Sequence, residues 1–160
     1  MPTNAEKAME IWKPMEGKPE GTGDWLKIEQ SRINTFADAT GDHQFIHVDP
    51  EKAAQLSPFK VTIAHGYLTM SLIPFLQGAI PMADPQAYAG VYMGVNYGLD
   101  KVRLPAPVKV NSRIRARRDL ISAELVNPTT IQLKQKITIE IEGEPKPACV
   151  AETLTRLMYG

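Results

Sequence analysis

Thr130-Ile131-Gln132-Leu133-Lys134-Gln135-Lys136-Ile137-Thr138-Ile139-Glu140-Ile141 puts Ile131, Leu133, Gln135, Ile137, Ile139 and Ile141 at every second position. Residues two apart share one face of a strand, so this stretch reads as a half-buried β-strand. The same period runs outward on both sides and predicts four strands, near 88–101, 109–126, 129–142 and 147–158. Asn127-Pro128 and Gly143-Glu144-Pro145 provide the turns between them. Leu104-Pro105-Ala106-Pro107 provides a stiff crossing after the first strand.

Before Tyr88 the pattern is helical. Residues 4–17 have weak helical character, ended by Pro14 and Gly17, and Gly21 and Gly23 mark a loop. Trp25-Leu26-Lys27-Ile28 alternates as a short strand. A helix opening at Gln30 or Ser31 carries Ile33, Phe36 and Ala37 on one face and stops at Gly41. Residues 41–50 read as a loop, and Asp49-Pro50 starts a short helix through Leu56. Ala64 to Gln77 is the most apolar helical stretch and has few charges, so it is expected to be buried nearly all round. Helices first and a meander after them predict one α+β domain over residues 1–160, with a curved antiparallel sheet wrapped around a central apolar helix. Long strands with free edges invite a second copy, so a homodimer is expected.

The 160 residues carry 18 Lys plus Arg against 18 Asp plus Glu, a net charge of zero. That balance lacks the basic excess of a dedicated nucleic-acid binder. No apolar run is long enough to span a bilayer, and Met1-Pro2-Thr3-Asn4-Ala5-Glu6-Lys7 lacks the order of a signal peptide, so a cytoplasmic protein is expected. The single cysteine, Cys149, gives no disulfide and no metal-ligand spacing; it reads as a small core residue. No metal is expected.

Chemistry concentrates in Gly41-Asp42-His43-Gln44-Phe45-Ile46-His47-Val48-Asp49, with two histidines and two carboxylates. Reactive residues favour loops held by a scaffold, and histidine titrates nearest neutral pH. Hydration of a double bond conjugated to a carbonyl needs one group to take a proton from water and another to deliver one to carbon. Asp42 and His47 are the candidate pair, sharing one water on one face of the substrate. Asp49 reads as the cap of the next helix. His43 reads as a solvated residue. In Ile63-Ala64-His65-Gly66-Tyr67, the Gly66 N–H at a helix start is placed to polarise a thioester carbonyl.

Phe36, Gly41, Asp42, Ile46, His47 and Asp49 resemble the signature of the MaoC-like dehydratase family, which includes the R-specific enoyl-CoA hydratases. Ile63-Ala64-His65-Gly66 is similar to its second block. Asn96-Tyr97-Gly98-Leu99-Asp100-Lys101-Val102-Arg103, with Pro105 and Pro107, is similar to the nodulation-protein-N-like branch. The resemblance spans residues 25–115. It implies a hot-dog fold, a dimer, acyl-CoA substrates, Asp42 and His47 as the catalytic pair and Gly66 as the oxyanion donor. Coenzyme A then enters only as part of the substrate, and no other cofactor is implied. The family's Asn-Pro is replaced here by Gln44-Phe45, which bears on substrate choice. Gln44, Phe45, His65, Lys101 and Arg103 are the candidate substrate-binding residues. Arg113, Arg115 and Arg117 alternate on one strand face beside Arg118, as candidates for phosphate contact or as a solvated charged face.

Two other functions stay open. A hot-dog acyl-CoA thioesterase would resemble its relatives in having an acid on the central helix, and residues 64–77 contain none. A non-catalytic acyl-binding subunit would resemble family members that have lost Asp or His, and both are present.

Overall fold

The computed structural model describes residues 1–160. Helix α1 spans Asn4–Met15, followed by strands β1 (Pro19–Thr22) and β2 (Leu26–Lys27). Helices α2 (Gln30–Thr40), α3 (Phe45–Val48), α4 (Pro50–Leu56), α5 (Gly66–Ser71) and α6 (Ile73–Gln77) come next, then a 3-10 turn at Pro85–Tyr88. The long strands are β3 (Val91–Arg103), β4 (Arg113–Asn127), β5 (Thr130–Ile141) and β6 (Cys149–Tyr159).

All strand pairs are antiparallel, in the order β1-β4-β5-β6-β3, with β2 also on β4. The alternation in β5 is what buries Ile131, Leu133, Ile137 and Ile139. The β4–β5 turn is held by Asn127, whose side-chain oxygen accepts from the Thr129 N–H at 3.0 Å. Gly143, at φ 80°, closes the turn after β5 in a conformation that side chains rarely adopt.

The helices lie against this sheet in two clusters. One joins Ile33 of α2 and Leu68, Leu72 and Leu76 of the α5–α6 segment to Ile114, Ile137 and Ile139. Cys149 is buried within it, and burial pushes its thiol pKa up to about 11, as suits an inert core residue. The other packs Ala5, Ala8 and Trp12 of α1 on Leu120, Ile131 and Leu133. Trp12 donates through Nε1 to the Tyr159 hydroxyl at 3.2 Å, and that hydroxyl donates to the Ala87 carbonyl at 2.7 Å.

Several expectations need correction. The central helix is two short ones: Pro74 has no N–H to continue the ladder, and the chain turns through Leu72 in a right-handed conformation. It is also not enclosed all round, because Tyr67 and Phe75 are exposed. The 41–50 loop contains the one-turn helix α3, and the glycine-rich segment before Trp25 contains β1. Pro14 lies inside α1 rather than ending it; Thr3 and Glu6 form a reciprocal capping box at its start. Tyr92, Met93 and Tyr97 on β3 are exposed.

Candidate active site

Gly41 ends α2 at φ 82°, and the chain leaves that helix with Asp42 at the surface. The Asp42 carboxylate accepts from the Gln44 N–H at 3.3 Å, which turns the backbone into α3. His47, on α3, is therefore swung inward and is buried. Its Nδ1–H donates to the Ile63 carbonyl at 2.7 Å. That bond leaves the lone pair on Nε2. Burial, followed by the neighbouring His65, holds the His47 pKa below the usual imidazole range, against a raising effect from the Ile63 bond. The result is a neutral imidazole with one oriented basic nitrogen.

His65 sits immediately before α5 and is only 2% exposed. Its ring lies between Phe36, at 4.9 Å, and His47, at 3.9 Å with planes 25° apart. Its Nε2–H donates to the Asp42 main-chain carbonyl at 2.9 Å, and its Nδ1 is buried without a hydrogen-bond partner. Donor atoms of Asp42, His47 and His65 all lie within 4.8 Å of one another. The sequence placed His65 among residues that touch substrate. The structure buries it between Phe36 and His47, where it holds both the Asp42 backbone and the His47 ring plane.

Gly66 is the first residue of α5, so its N–H precedes the intrahelical ladder. A Cβ built there would come within 2.5 Å of Leu104 Cδ1, so the glycine keeps the amide approachable beside the chain leaving β3. Arg103 is next to Leu104; Arg103 and Lys101 are exposed, with Lys101 at φ 50°. Gln44 is exposed at the start of α3, and Phe45 is half-buried under the Lys52 ammonium, 5.0 Å from its ring centre.

The remaining charged residues lie apart from this centre. His43 is exposed and pairs with Asp38 at 2.9 Å, which raises its pKa. Asp49 caps α4 by accepting from the Lys52 N–H at 2.9 Å. Arg113 pairs with Glu142, and Arg115 and Arg117 with Glu140, while Arg115 also stacks 4.3 Å from the Trp25 ring centre. Arg118 faces the opposite way and is buried against Glu20. Its inward position follows the alternation of the strand, on the buried face with Ile114, Ala116 and Leu120.

A curved antiparallel sheet against a central helical segment defines a hot-dog fold, and a carboxylate, a buried imidazole and an unladdered amide gather near that segment's start. The chain belongs to the MaoC like domain family, whose sequence model matches residues 13–140. It is 50% identical over 140 residues to 3-hydroxyacyl-thioester dehydratase Z of Mycobacterium tuberculosis, covering 88% of this chain and 89% of that one. It is 42% identical over 144 residues to Nodulation protein N of Rhizobium leguminosarum bv. viciae, covering 89% and 86%. Among solved structures it shares its fold with the MaoC-like dehydratase from Rhodospirillum rubrum: TM-score 0.70, 17% identity, 91% and 93% coverage. The (R)-hydratase from A. caviae has the same fold: TM-score 0.63, 21% identity, 84% and 94% coverage.

Proposed function

We propose that the protein is a hydro-lyase that reversibly hydrates trans-2-enoyl thioesters to (R)-3-hydroxyacyl thioesters. One observation carries the reading: the Asp42 carboxylate and the His47 imidazole lie within 4.8 Å of each other and of His65, the residue just before the unladdered Gly66 N–H. The naming of a 50% identical relative as a 3-hydroxyacyl-thioester dehydratase supports it. In this mechanism a water sits between Asp42 and His47 Nε2. His47 takes one proton as the water oxygen bonds to C3. The electron pair of the double bond moves toward the thioester oxygen, where the Gly66 N–H receives the charge. Collapse of the enolate takes a proton at C2 from the same pair, so both new bonds form on one face. Water supplies everything that is added, so no cofactor is needed beyond coenzyme A or a carrier protein as part of the substrate. Gln44 and Phe45 flank the acyl entrance, and Lys101 and Arg103 are the cations proposed to meet the carrier's phosphates.

The working unit is proposed to be a homodimer. Strand β3 is the long free edge of the sheet, opposite the short β1 and β2, and Tyr92, Met93, Val95, Tyr97 and Leu99 on it are all exposed. A 13-residue edge strand with these five apolar side chains left open would template aggregation, and pairing with a second β3 removes that edge. No helix is long and apolar enough to cross a membrane. The cytoplasm is the proposed compartment.

The test follows enoyl absorbance with crotonyl-CoA alongside thiol release. Hydration that falls at least ~100-fold in folded Asp42→Asn and His47→Ala variants is expected. Thiol release without hydration would make the protein a thioesterase, and silence in both assays across chain lengths would make it a binding subunit.

A further inference from the structure

The main-chain carbonyl of His47 lies at the end of α3, and no backbone N–H donates to it. The side chain of Gln30 does, through Nε2 at 2.7 Å. The second Nε2–H of Gln30 donates to Asn34 Oδ1 at 3.0 Å. A carbonyl only accepts, so the amide nitrogen must face His47 and Oε1 must face away. Oε1 there accepts from the hydroxyl of Thr62, a residue 1% exposed.

Thr62 precedes Ile63, whose carbonyl accepts from His47 Nδ1 at 2.7 Å. The bonds close a circuit. It runs from the His47 carbonyl to Gln30, on to Thr62, along the chain to Ile63 and back to the His47 ring. Gln30 thus holds both the backbone of His47 and the neighbour of the carbonyl that orients its imidazole. The far side of the circuit is itself anchored: the Val110 N–H donates to the Thr62 carbonyl at 2.9 Å.

Gln30 is also the first residue of α2, and Asp42 follows the glycine that ends that helix. With 11 residues, α2 is about 16 Å long. One stiff element delivers the carboxylate from its C-terminal end and holds the backbone of the imidazole from its N-terminal end. We infer that Gln30 is a positioning residue for the Asp42–His47 pair: it fixes where α3 stands against α2 and Ile63, and so where His47 Nε2 points. The inference rests on the lyase reading for the reaction that this pair performs.

The test compares Gln30→Met, which keeps the length of the side chain and loses its hydrogen bonds, with Thr62→Val, which opens the circuit on its other side. With crotonyl-CoA, kcat is expected to fall about tenfold in folded Gln30→Met while KM stays within about twofold, as for a displaced reacting group. Thr62→Val added to Gln30→Met should cost little more, because both act through one circuit. Asn34→Ala removes a bond outside the circuit and should keep kcat within about twofold. A second readout needs no substrate. Above neutral pH the two ring-nitrogen NMR shifts of His47 lie far apart while one tautomer is held on Ile63, and they should draw together in Gln30→Met. Should that variant not fold, Thr62→Val carries both readouts. An unchanged kcat, a loss confined to KM, an equal loss in Asn34→Ala, or His47 shifts that stay apart overturns the inference. The two readings fail separately. A parent protein that hydrates nothing sinks the lyase and leaves the clamp to the His47 shifts; an active parent with an equally active Gln30→Met variant sinks only the clamp.

Discussion

The imidazole of His65 stacks on that of His47 with centroids 3.9 Å apart and planes 25° apart. Burial lowers the His47 pKa, and the adjoining His65 lowers it further. The basic form of His47 therefore persists below the usual imidazole pKa of about 6.5. The rate of hydration should hold its plateau below that pH, and kcat/KM should fall only on further acidification. In His65→Phe the stacking is kept while the like charge is removed, so the acid limb should move upward. A pH–rate profile of that variant superimposable on the parent would show that His65 does not tune the base.

The same lowered pKa has a sign for stability. Between the native and unfolded pKa values the unfolded chain binds the extra proton, so folding stability falls as pH drops through that window. Replacing His47 with Gln should flatten this part of the pH dependence. Urea unfolding from neutral pH to pH 5 would read the difference.

Gly66→Ala should leave the fold nearly intact and damage turnover. The new Cβ meets only the Leu104 side chain, clashing with Cδ1, the end of a half-exposed group that can swing away. The amide would then be shielded, and kcat should fall by about tenfold or more, within the range for weakening one oxyanion donor. Adding Leu104→Ala should restore part of the loss. If the double variant is no better than the single one, the clash is not the cause.

Arg118→Met should destabilise the protein by about 3–5 kcal/mol, because it strands the buried Glu20 carboxylate. Glu20→Gln in the same chain should recover much of that loss. Chemical denaturation of both variants measures the coupling. A single variant within 1 kcal/mol of the parent, roughly the scale of a surface pair, would mean that water reaches the site.

Val95→Lys places a charge in the middle of the open β3 edge. Light scattering should show a monomer, with hydration reduced in parallel. An unchanged dimer would move the interface away from β3.

Much of this architecture was legible because period-two patterns do not depend on partners far away. β5, predicted at 129–142, is Thr130–Ile141, and the α4 start at Asp49-Pro50 was read from local cap chemistry. The Asp42–His47 pairing was legible as a motif. What escaped was set by tertiary contact. The role of His65 follows from a carbonyl 23 residues earlier in the chain and from a ring stack, neither of which leaves a mark on its neighbours. Arg118 looked like one more cation in an Arg-rich strand; its burial depends on Glu20 and Gln77, which fold onto it from β1 and α6. Its even-numbered place, in step with Ile114, Ala116 and Leu120 rather than with Arg113, Arg115 and Arg117, was the one available signal. The split of the central helix was visible in Pro74, whose missing N–H was given too little weight beside the apolar run.

The acceptor that chooses the reactive nitrogen of His47 is the main-chain oxygen of Ile63, and it too is pinned: the Ile63 N–H donates to Ile46, and the flanking Ala64 and Thr62 bond to Val108 and Val110. No codon change at position 63 short of proline alters the atoms involved. A saturation scan would return tolerance there for any apolar side chain and overlook the group that sets the tautomer. Backbone chemistry, such as an amide-to-ester exchange that weakens this carbonyl as an acceptor, is the perturbation that would expose it.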